Sequence, residues 1–213
     1  MSDPGILAIW NDCRAGRETE FETWFQGEHL PERLAVPGFL FGRRHQAISG
    51  TSGYFNFYLV ESPAVLTSKP YLERLDNPTP MTRKIMSEVF INMNRTACRR
   101  TARRGGFRGA YAVTVRFDAA PDEAALAREL EALVADPAAV ANGEIWIALD
   151  PKGMPVLQEE KLRGGDRKIA GCLIIDTLRQ ADAETAAARL ARKFPGTEVG
   201  VFRVLCQIGR GDL

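Results

Sequence analysis

Residues 17–45 read RETEFETWFQGEHLPERLAVPGFLFGRRH, and this stretch contains both histidines of the chain, His29 and His45. It begins with three aromatic residues at the spacing of one helical face, Phe21, Trp24 and Phe25. That spacing predicts an amphipathic helix over residues 17–33. Pro31 has no backbone N–H, so regular helical hydrogen bonding is disrupted just after His29.

A second, polar stripe follows the same predicted helix at spacings of four, three and four, formed by Glu22, Gln26, His29 and Arg33. Residues at these spacings are neighbours on a helix surface. We therefore expect Glu22 or Gln26 to hold the tautomer of the His29 imidazole. The Pro-Gly pair at 37–38 predicts a turn into a strand that carries His45.

Composition excludes several classes of protein. The 213 residues are 45% hydrophobic and 26% charged, as in ordinary globular proteins, and the formal net charge is +1. This charge argues against a surface field built for nucleic acid or for anionic lipid. The four cysteines form no CxxC pair, and no apolar run approaches the ~18 residues of a membrane span. The first residues lack the features of a secretion signal, so we expect a cytoplasmic protein with reduced thiols.

The order of predicted elements repeats once along the chain. Strands are predicted at 5–12, 39–48, 54–60 and 90–99, and then at 110–117, 144–149, 169–178 and 198–208. Helices are predicted at 17–33, 65–75, 81–88, 121–135 and 182–194, and a polar loop at 150–168. Each half reads βαββαβ, which gives one ferredoxin-like repeat over residues 1–98 and a second, degenerate repeat over 110–213. Residues 99–109 are predicted to be a basic linker, because their charge opposes burial and their glycines allow bending.

A βαββαβ unit forms an antiparallel sheet with both helices on one face, so the other face must be covered. Packing the two bare faces together predicts an α+β fold, a pseudo-dimeric α+β barrel with a cavity between its sheets. Most aromatic residues and both histidines precede the predicted linker. We therefore expect the first repeat to carry the functional site and the second mainly to close the barrel.

The run W-F-x-x-E-H-L-P-E-R at 24–33, followed by P-G-F and a strand bearing Arg43, Arg44 and His45, resembles a known superfamily. This is the dimeric α+β-barrel superfamily, and the resemblance is closest to its EthD-like branch. The superfamily includes cofactor-free monooxygenases, muconolactone-type isomerases, polyketide cyclases, aldoxime dehydratases and haem-dependent enzymes. The resemblance thus implies the fold and the place of the site, with His29 in acid/base chemistry, but it does not imply one reaction.

The candidate catalytic residues are His29 and His45, because an imidazole with a pKa near 6.5 suits proton transfer at neutral pH. The candidate substrate-binding residues are Arg43, Asn56, Tyr58, Trp10, Asp12, Phe41 and Trp24. Arg43 would anchor an anion through its guanidinium, and the polar face of the third strand would orient a substrate oxygen. Asp12 would raise the basicity of a histidine, and the aromatic residues would exclude water.

Each of these assignments has a structural alternative. In the structural alternative, His29 lies at the end of a helix that the proline interrupts. Arg43 and Arg44 then protect an edge strand from aggregation by their charge, and the polar side chains of the third strand face water. No trusted metal-ligand spacing occurs, and no bound cofactor is expected, although haem held by His29 or His45 stays open. The basic run RRTARRGGFR at 99–108 fits a solvated connection better than a nucleic-acid site.

The sequence therefore predicts a cofactor-independent acid/base enzyme acting on a small, apolar, oxygen-bearing metabolite, of the lyase, isomerase, decarboxylase or cyclase type. Two alternatives stay open, a non-catalytic binding protein for a hydrophobic ligand or haem, and a cofactor-free monooxygenase. The expected partner is a small-molecule ligand, with no nucleic acid and no membrane, and a homodimer of the fused barrel also stays open.

Overall fold

The computed structural model describes residues 3–150 and 156–212 and contains eight strands in this part of the chain. The strands are β1 (Gly5–Cys13), β2 (Phe39–Ser49), β3 (Tyr54–Val60), β4 (Phe90–Gly105), β5 (Tyr111–Phe117), β6 (Asn142–Ala148), β7 (Gly171–Thr177) and β8 (Glu198–Gly209). The helices are α1 (Glu18–Trp24), α2 (Leu30–Ala35), α3 (Lys69–Asp76), α4 (Pro80–Glu88), α5 (Glu123–Val134), α6 (Gln158–Leu162) and α7 (Gln180–Lys193). A π-helical turn (Phe25–His29) joins α1 to α2, and short 3-10 helices lie at Pro63–Thr67 and Arg210–Asp212.

The eight strands form one closed antiparallel barrel in the order β1-β3-β2-β8-β5-β7-β6-β4. Within it, the first four strands run β4-β1-β3-β2 and the last four run β8-β5-β7-β6, which is the same ferredoxin-like order in both halves. The halves join where β2 pairs with β8 and where β4 pairs with β6. The predicted α+β fold, with two βαββαβ repeats packed sheet to sheet, is confirmed.

Three hydrophobic clusters follow from this arrangement. One lies between the first four strands and α1–α4, a second lies between the last four strands and α5 and α7, and the third fills the barrel interior. The interior cluster includes Trp10, Phe55, Phe57, Trp146 and Phe202, all almost fully buried. The cavity predicted between the two sheets is therefore occupied largely by aromatic side chains.

Strand β3 shows how the two faces of the first sheet differ. Phe55 and Phe57 point into the barrel, whereas Tyr54 and Tyr58 belong to the cluster beneath the helices. The sequence analysis expected the polar face of this strand to meet the cavity between the sheets, and that orientation is wrong. The aromatic face is needed inside the barrel, because the rings of both repeats must fill that space.

The predicted basic linker at 99–109 is wrong over most of its length. Strand β4 continues to Gly105, and its last residues pair with β6, from Cys98 opposite Ala148 to Gly105 opposite Asn142. The charged strand is tolerated because its arginines find partners, such as Glu144 at 3.2 Å from Arg100. This extension closes the barrel on one side.

Gly105 ends strand β4 with a φ of +81°, a conformation that favours glycine. A Cβ atom there would lie only 2.4 Å from the carbonyl oxygen of Ala141. The Thr79 N-cap is confirmed, because its hydroxyl accepts the N–H of Thr82 at 3.0 Å. The predicted helix at 65–75 is a 3-10 helix followed by α3, and the predicted loop at 150–168 contains the short helix α6. Part of the predicted loop at 150–168, residues 151–155, lies outside the described residues. In the described residues, no helix combines the length and apolar character that crossing a bilayer requires.

Candidate functional site

A π-helical turn places His29. The N–H of Leu30 donates to the carbonyl of Phe25, five residues earlier, so the turn from Phe25 to His29 is wider than an α-helical turn. Pro31, at the start of α2, has no N–H to donate to Gly27, which favours a change in the hydrogen-bond pattern here. Turns of this type occur frequently at functional sites.

The wider turn changes which side chains share a face. Gln26 is exposed and donates to Glu22 at 3.1 Å, and Glu22 in turn accepts two hydrogen bonds from the buried Arg44. His29 is buried, and its Nδ1 has no hydrogen-bond partner within the described chain. The expectation that Glu22 or Gln26 holds the His29 ring is therefore wrong.

The His29 imidazole is instead held by aromatic rings. Its centroid lies 4.3 Å from that of Trp24 and 5.3 Å from that of Phe25. The indole N–H of Trp24 donates to the Thr82 hydroxyl at 3.0 Å, which ties α1 to α4. The ring thus has a fixed position between the helices and the outer face of the first sheet.

A small cavity of about 20 Å³ lies beside His29, between α1–α4 and the first sheet. This volume is enough for about one water molecule. Its apolar lining includes Leu7, Ile9 and Phe25. Its polar lining comprises His29, Arg33, Asn56, Tyr71, Arg95, Glu159 and Arg163. Both halves of the chain contribute, because Glu159 and Arg163 come from the connection between β6 and β7.

Four buried polar atoms in and next to this cavity have no partner among the residues that the structure describes. They are Nδ1 of His29, Nη1 of Arg33, Oδ1 of Asn56 and the hydroxyl of Tyr58. Buried polar groups in folded proteins are normally hydrogen-bonded, so four exceptions in one region require an explanation. A bound water or a polar ligand would satisfy them.

The charges around the cavity are unequal, with three arginines against two carboxylates. Arg33 Nη2 lies 2.5 Å from Glu159 Oε1, and Arg163 Nη1 lies 3.7 Å from Glu159 Oε2. Arg163 also makes a bidentate pair with Asp166, at 2.9 and 2.7 Å. Arg95 donates to the Tyr71 hydroxyl. The excess positive charge favours an anion in this cavity.

Burial lowers the pKa of His29 well below its usual value, and the charge of Arg33 and then of Arg163 lowers it further. The imidazole is therefore neutral at neutral pH and has a lone pair to accept a proton. Burial raises the pKa of the Tyr58 phenol, which stays protonated and can donate a hydrogen bond. The arrangement combines a base, a neutral donor and fixed cations, as proton abstraction beside a developing oxyanion requires.

His45 lies on the opposite face of the same sheet, inside the barrel. Its Nδ1–H donates to the Phe55 carbonyl at 2.9 Å, so Nε2 is the acceptor nitrogen and has no partner within residues 3–150 and 156–212. Its ring stacks on Phe55 and Phe57, with centroids 4.9 and 6.1 Å apart. The sequence analysis placed both histidines in one functional site, whereas the structure places them on opposite faces of the sheet.

Three of the candidate binding residues also lie on the barrel side. Arg43 pairs with Asp176 at 2.8 Å and donates to the Gly109 carbonyl, so its charge is already matched. Phe41 is covered by the Arg108 guanidinium at 4.4 Å from the ring centroid. Trp10 stacks on Phe55 at 5.0 Å and donates to Thr114. These side chains make contacts inside the barrel and do not line the cavity beside His29.

Asp12 has a local structural role. Its carboxylate accepts the N–H of Gly53 at 2.5 Å and the Asn92 amide at 2.7 Å, which holds the β2–β3 turn and the start of β4. Of the candidate residues, the structure brings His29, Trp24, Asn56 and Tyr58 to one region. Asp12 is not joined to either histidine by any hydrogen bond within the described chain.

The sequence analysis missed several residues of this cavity. Arg33 was recognised as part of a polar stripe but not as part of a site, and Glu159 and Arg163 were included in a polar loop. The length of that predicted loop is the feature of the sequence that could have indicated a role in the site. Residues 149–170 separate β6 from β7, whereas hairpin strands are usually joined by two to about five residues.

The described residues fit neither a metal ion nor haem. No group of three or more His, Cys, Asp or Glu side chains there could hold a metal ion. The cavity of about 20 Å³ beside His29 is far below the ~300–1,000 Å³ of pockets that hold cofactor-sized molecules. The residues as arranged therefore do not fit haem at His29. At His45, the free nitrogen is enclosed by the barrel core.

Stability at acidic pH provides a test of the buried His45. Burial, and then the charge of Arg43, lower the pKa of His45 to about 3, against about 6.5 in an unfolded chain. As the pH falls from about 6.5 to about 3, the unfolded state binds a proton that the folded state does not bind. The free energy of unfolding therefore falls in this window. His45→Gln should make the slope shallower, by up to about 1.4 kcal/mol per pH unit.

Urea unfolding of both proteins between pH 7 and pH 4 would measure this slope. Burial raises the pKa of Asp176, against the opposing charge of Arg43, so Asp176 changes stability with the opposite sign above its usual pKa. The comparison of the two proteins removes that common contribution. If the free energy of unfolding fell equally steeply with pH in both proteins, His45 would bind its proton in the folded state as readily as in the unfolded state.

Comparison with known proteins gives no family by sequence. No family model matches the chain. No curated protein matches it significantly either.

Solved structures do match the fold over nearly the whole chain. A candidate monooxygenase of Fusobacterium nucleatum superposes with a TM-score of 0.62 at 9% identity, covering 100% of this chain and 97% of the other. An anthrone oxidase-like protein gives 0.60 at 11% identity, with 99% and 94% covered. A candidate chlorite dismutase gives 0.56 at 11% identity, with 97% and 96% covered. These likenesses show the dimeric α+β-barrel fold and leave the EthD-like branch a prediction.

Proposed function

We propose that this protein is a cofactor-independent acid/base enzyme whose reaction takes place between the helices and the sheet of the first repeat. One observation carries the proposal, namely that His29, whose buried Nδ1 has no hydrogen-bond partner among the described residues, lines a cavity together with Arg33, Arg95 and Arg163. The fitting substrate is small, largely apolar and oxygen-bearing, with a proton whose removal leaves an enolate or phenolate, and the cavity of about 20 Å³ must widen to admit it.

The chain's own residues supply each part of such a step. His29 accepts the substrate proton at Nδ1 and later returns it. Arg33 stabilises the negative charge that develops on the substrate oxygen, and its unpartnered Nη1 is available for this contact. The amide oxygen of Asn56 and the hydroxyl of Tyr58 orient the substrate, and the rings of Trp24 and Phe25 exclude water from the imidazole.

The low pKa of His29 is compatible with this role. Burial lowers it most, and the neighbouring arginines lower it further while no anion is present. A bound anion beside the ring offsets those cations and raises the pKa of the imidazole. The base therefore becomes stronger when the substrate charge forms, which is the moment at which proton transfer needs it.

Deuterium exchange tests the proposal without knowledge of the natural substrate. Phenylpyruvate is a suitable probe, because it is aromatic, carries a carboxylate and has an enolisable CH₂. In D₂O, the protein should speed loss of its benzylic proton signal above the rate in buffer alone, as followed by NMR. Failure to speed exchange, although phenylpyruvate quenches the fluorescence of Trp24 on binding, would favour the alternative of a non-catalytic binding protein.

A cofactor-free monooxygenase is the second candidate, and the descriptions of two structural neighbours favour it. Its first step would be the same deprotonation at His29, after which the anionic substrate reacts with O₂. An oxygen electrode separates the two candidates. Oxygen uptake with phenolic substrates and no added flavin or metal supports the monooxygenase, whereas exchange without uptake supports lyase or isomerase chemistry.

A further inference from the structure

The connection from β6 to β7 belongs to the second repeat but covers the cavity of the first. The Arg167 N–H donates to Met93 at 2.9 Å, and the Arg95 N–H donates to Arg167 at 3.0 Å, which fastens the connection to β4. Leu157, which precedes α6, and Leu162, its last residue, pack against the cluster beneath the first-repeat helices. The short helix α6 therefore forms the outer wall of the cavity beside His29.

This wall places a carboxylate against the arginines of the site. Glu159, in α6, is only 3% exposed and lies 2.5 Å from Arg33 and 3.7 Å from Arg163. Arg33 nevertheless keeps one buried, unpartnered nitrogen, Nη1. A guanidinium can bind both oxygens of one carboxylate through two N–H groups. In Arg33, Nη2 binds Glu159, whereas Nη1 has no partner among the described residues.

Stability alone does not account for such a pair. Replacement of a buried ion pair by apolar residues is often neutral or stabilising, because both charges must be desolvated. The Arg33–Glu159 pair also lies in a cavity with unpartnered groups on His29 and Asn56, where an apolar core would leave no such groups. The arrangement is that of a ligand site filled by a side chain of the same chain.

We propose that Glu159 occupies the position of a ligand carboxylate, and that Arg33, with Arg163 beside it still paired with Asp166, forms a subsite for small-molecule carboxylates. Binding displaces Glu159 and moves α6 outward, which also provides the space that the cavity of about 20 Å³ lacks. Gly164 and Gly165 follow α6 with φ values of +79° and +102°, and no described residue lies within 4 Å of a Cβ built on either. Glycine can adopt backbone conformations that other residues rarely adopt, which allows the chain to bend after α6.

The proposal names the substrate class of the proposed function and rests on it for the location of the site. The second repeat then contributes directly to specificity, since it holds both the competing carboxylate and one of the two arginines. A carboxylate-bearing substrate would compete with Glu159, whereas a neutral substrate of the same shape would not.

Titration of the intact protein with benzoate and with benzamide tests this competition. The chain has three tryptophans, and comparison with a Trp24→Phe protein identifies the signal of Trp24, whose ring lies 4.3 Å from that of His29. We expect Glu159→Gln to bind benzoate at least about ten-fold more tightly than the unaltered protein, with benzamide affinity changed less than about two-fold. Arg33→Met should weaken benzoate binding at least about ten-fold and affect benzamide little.

The matched control is Glu129→Gln. Glu129 is also buried and pairs with Arg189 at 2.6 Å, but it lies on α5 in the second repeat and lines no part of the cavity. Its replacement should leave the affinity for both probes unchanged. If Glu159→Gln does not fold, Glu159→Asp keeps the charge but shortens the reach to Arg33, and should tighten benzoate binding about three-fold.

Unchanged or weaker benzoate binding in the folded Glu159 variant would overturn the proposal. An equal gain in affinity for benzoate and for benzamide would also overturn the proposal. That result would mean that α6 packs more loosely and that no carboxylate subsite exists. The phenylpyruvate exchange experiment is independent of these affinities. If Glu159→Gln binds benzoate more tightly but the protein does not speed exchange into phenylpyruvate, the carboxylate subsite is supported and the acid/base function is not. If the protein speeds exchange but Glu159→Gln does not bind benzoate more tightly, the acid/base function is supported and the subsite is not.

Discussion

His29→Gln is expected to lower the protein-dependent rate of deuterium exchange into phenylpyruvate by about 10²- to 10⁴-fold, the usual contribution of a positioned general base. Glutamine has a similar size and can hydrogen-bond, but it cannot take up a proton near neutral pH. Because Arg33 and Arg163 remain in place, the affinity for benzoate should change only a few-fold. NMR exchange rates and Trp24 fluorescence titrations would measure the two effects separately.

Gln26→Ala is the control for this variant, because Gln26 lies on the same π-helical turn but is exposed to solvent. It should exchange phenylpyruvate at the rate of the unaltered protein. A His29→Gln protein that keeps the full rate would remove His29 from the reaction. If His45→Gln lost the rate instead, the barrel interior would become the site, as the sequence analysis expected for that imidazole.

The fold followed from sequence because its signals are local. Alternating apolar strands, turn residues and the Thr79 cap each act over a few residues, and their order specifies the repeat. The orientation of β3 could not be derived in the same way. Both faces of the sheet are buried, one under helices and one in the barrel, so alternation distinguishes two faces without saying which face is which.

The site was harder to predict because its parts are far apart in sequence. Arg33 and Glu159 are separated by 126 residues, and no pattern around either predicts the other. The motif around His29 correctly predicted the helical residues on one side of the cavity, because aromatic spacing and helix-ending residues act over a few neighbouring positions. The position of Glu159 depends on a connection that crosses between repeats, and only its unusual length marks it in the sequence.

Arg43 illustrates a different difficulty. The sequence correctly indicates that adjacent arginines on a strand point to opposite faces, and Arg43 indeed enters the barrel while Arg44 lies under the helices. What it cannot show is the partner, Asp176, which is 133 residues away. An arginine expected to bind a ligand anion is in fact neutralised by a carboxylate of the opposite sheet.

This pair leads to the largest expected effect on stability. Asp176→Asn keeps the side-chain shape but leaves the Arg43 charge buried without a counter-ion, since Arg43 and Asp176 are 2% and 1% exposed. Loss of one partner from a buried ion pair costs about 3–5 kcal/mol. We therefore expect the free energy of unfolding to fall by about that amount, as measured by urea denaturation at pH 7.

Two comparisons separate the buried charge from a general loss of packing. Glu131→Gln removes a carboxylate from an exposed pair with Arg104 and should change the unfolding midpoint little, because exposed ion pairs contribute little. The double variant Arg43→Met/Asp176→Leu should recover much of the stability, since no unpaired charge remains. If Asp176→Asn were as stable as the unaltered protein, water would have to reach Arg43, and the barrel interior would be open enough to bind a ligand. The His45 imidazole, stacked on the same aromatic rings, would then become accessible for proton transfer as well.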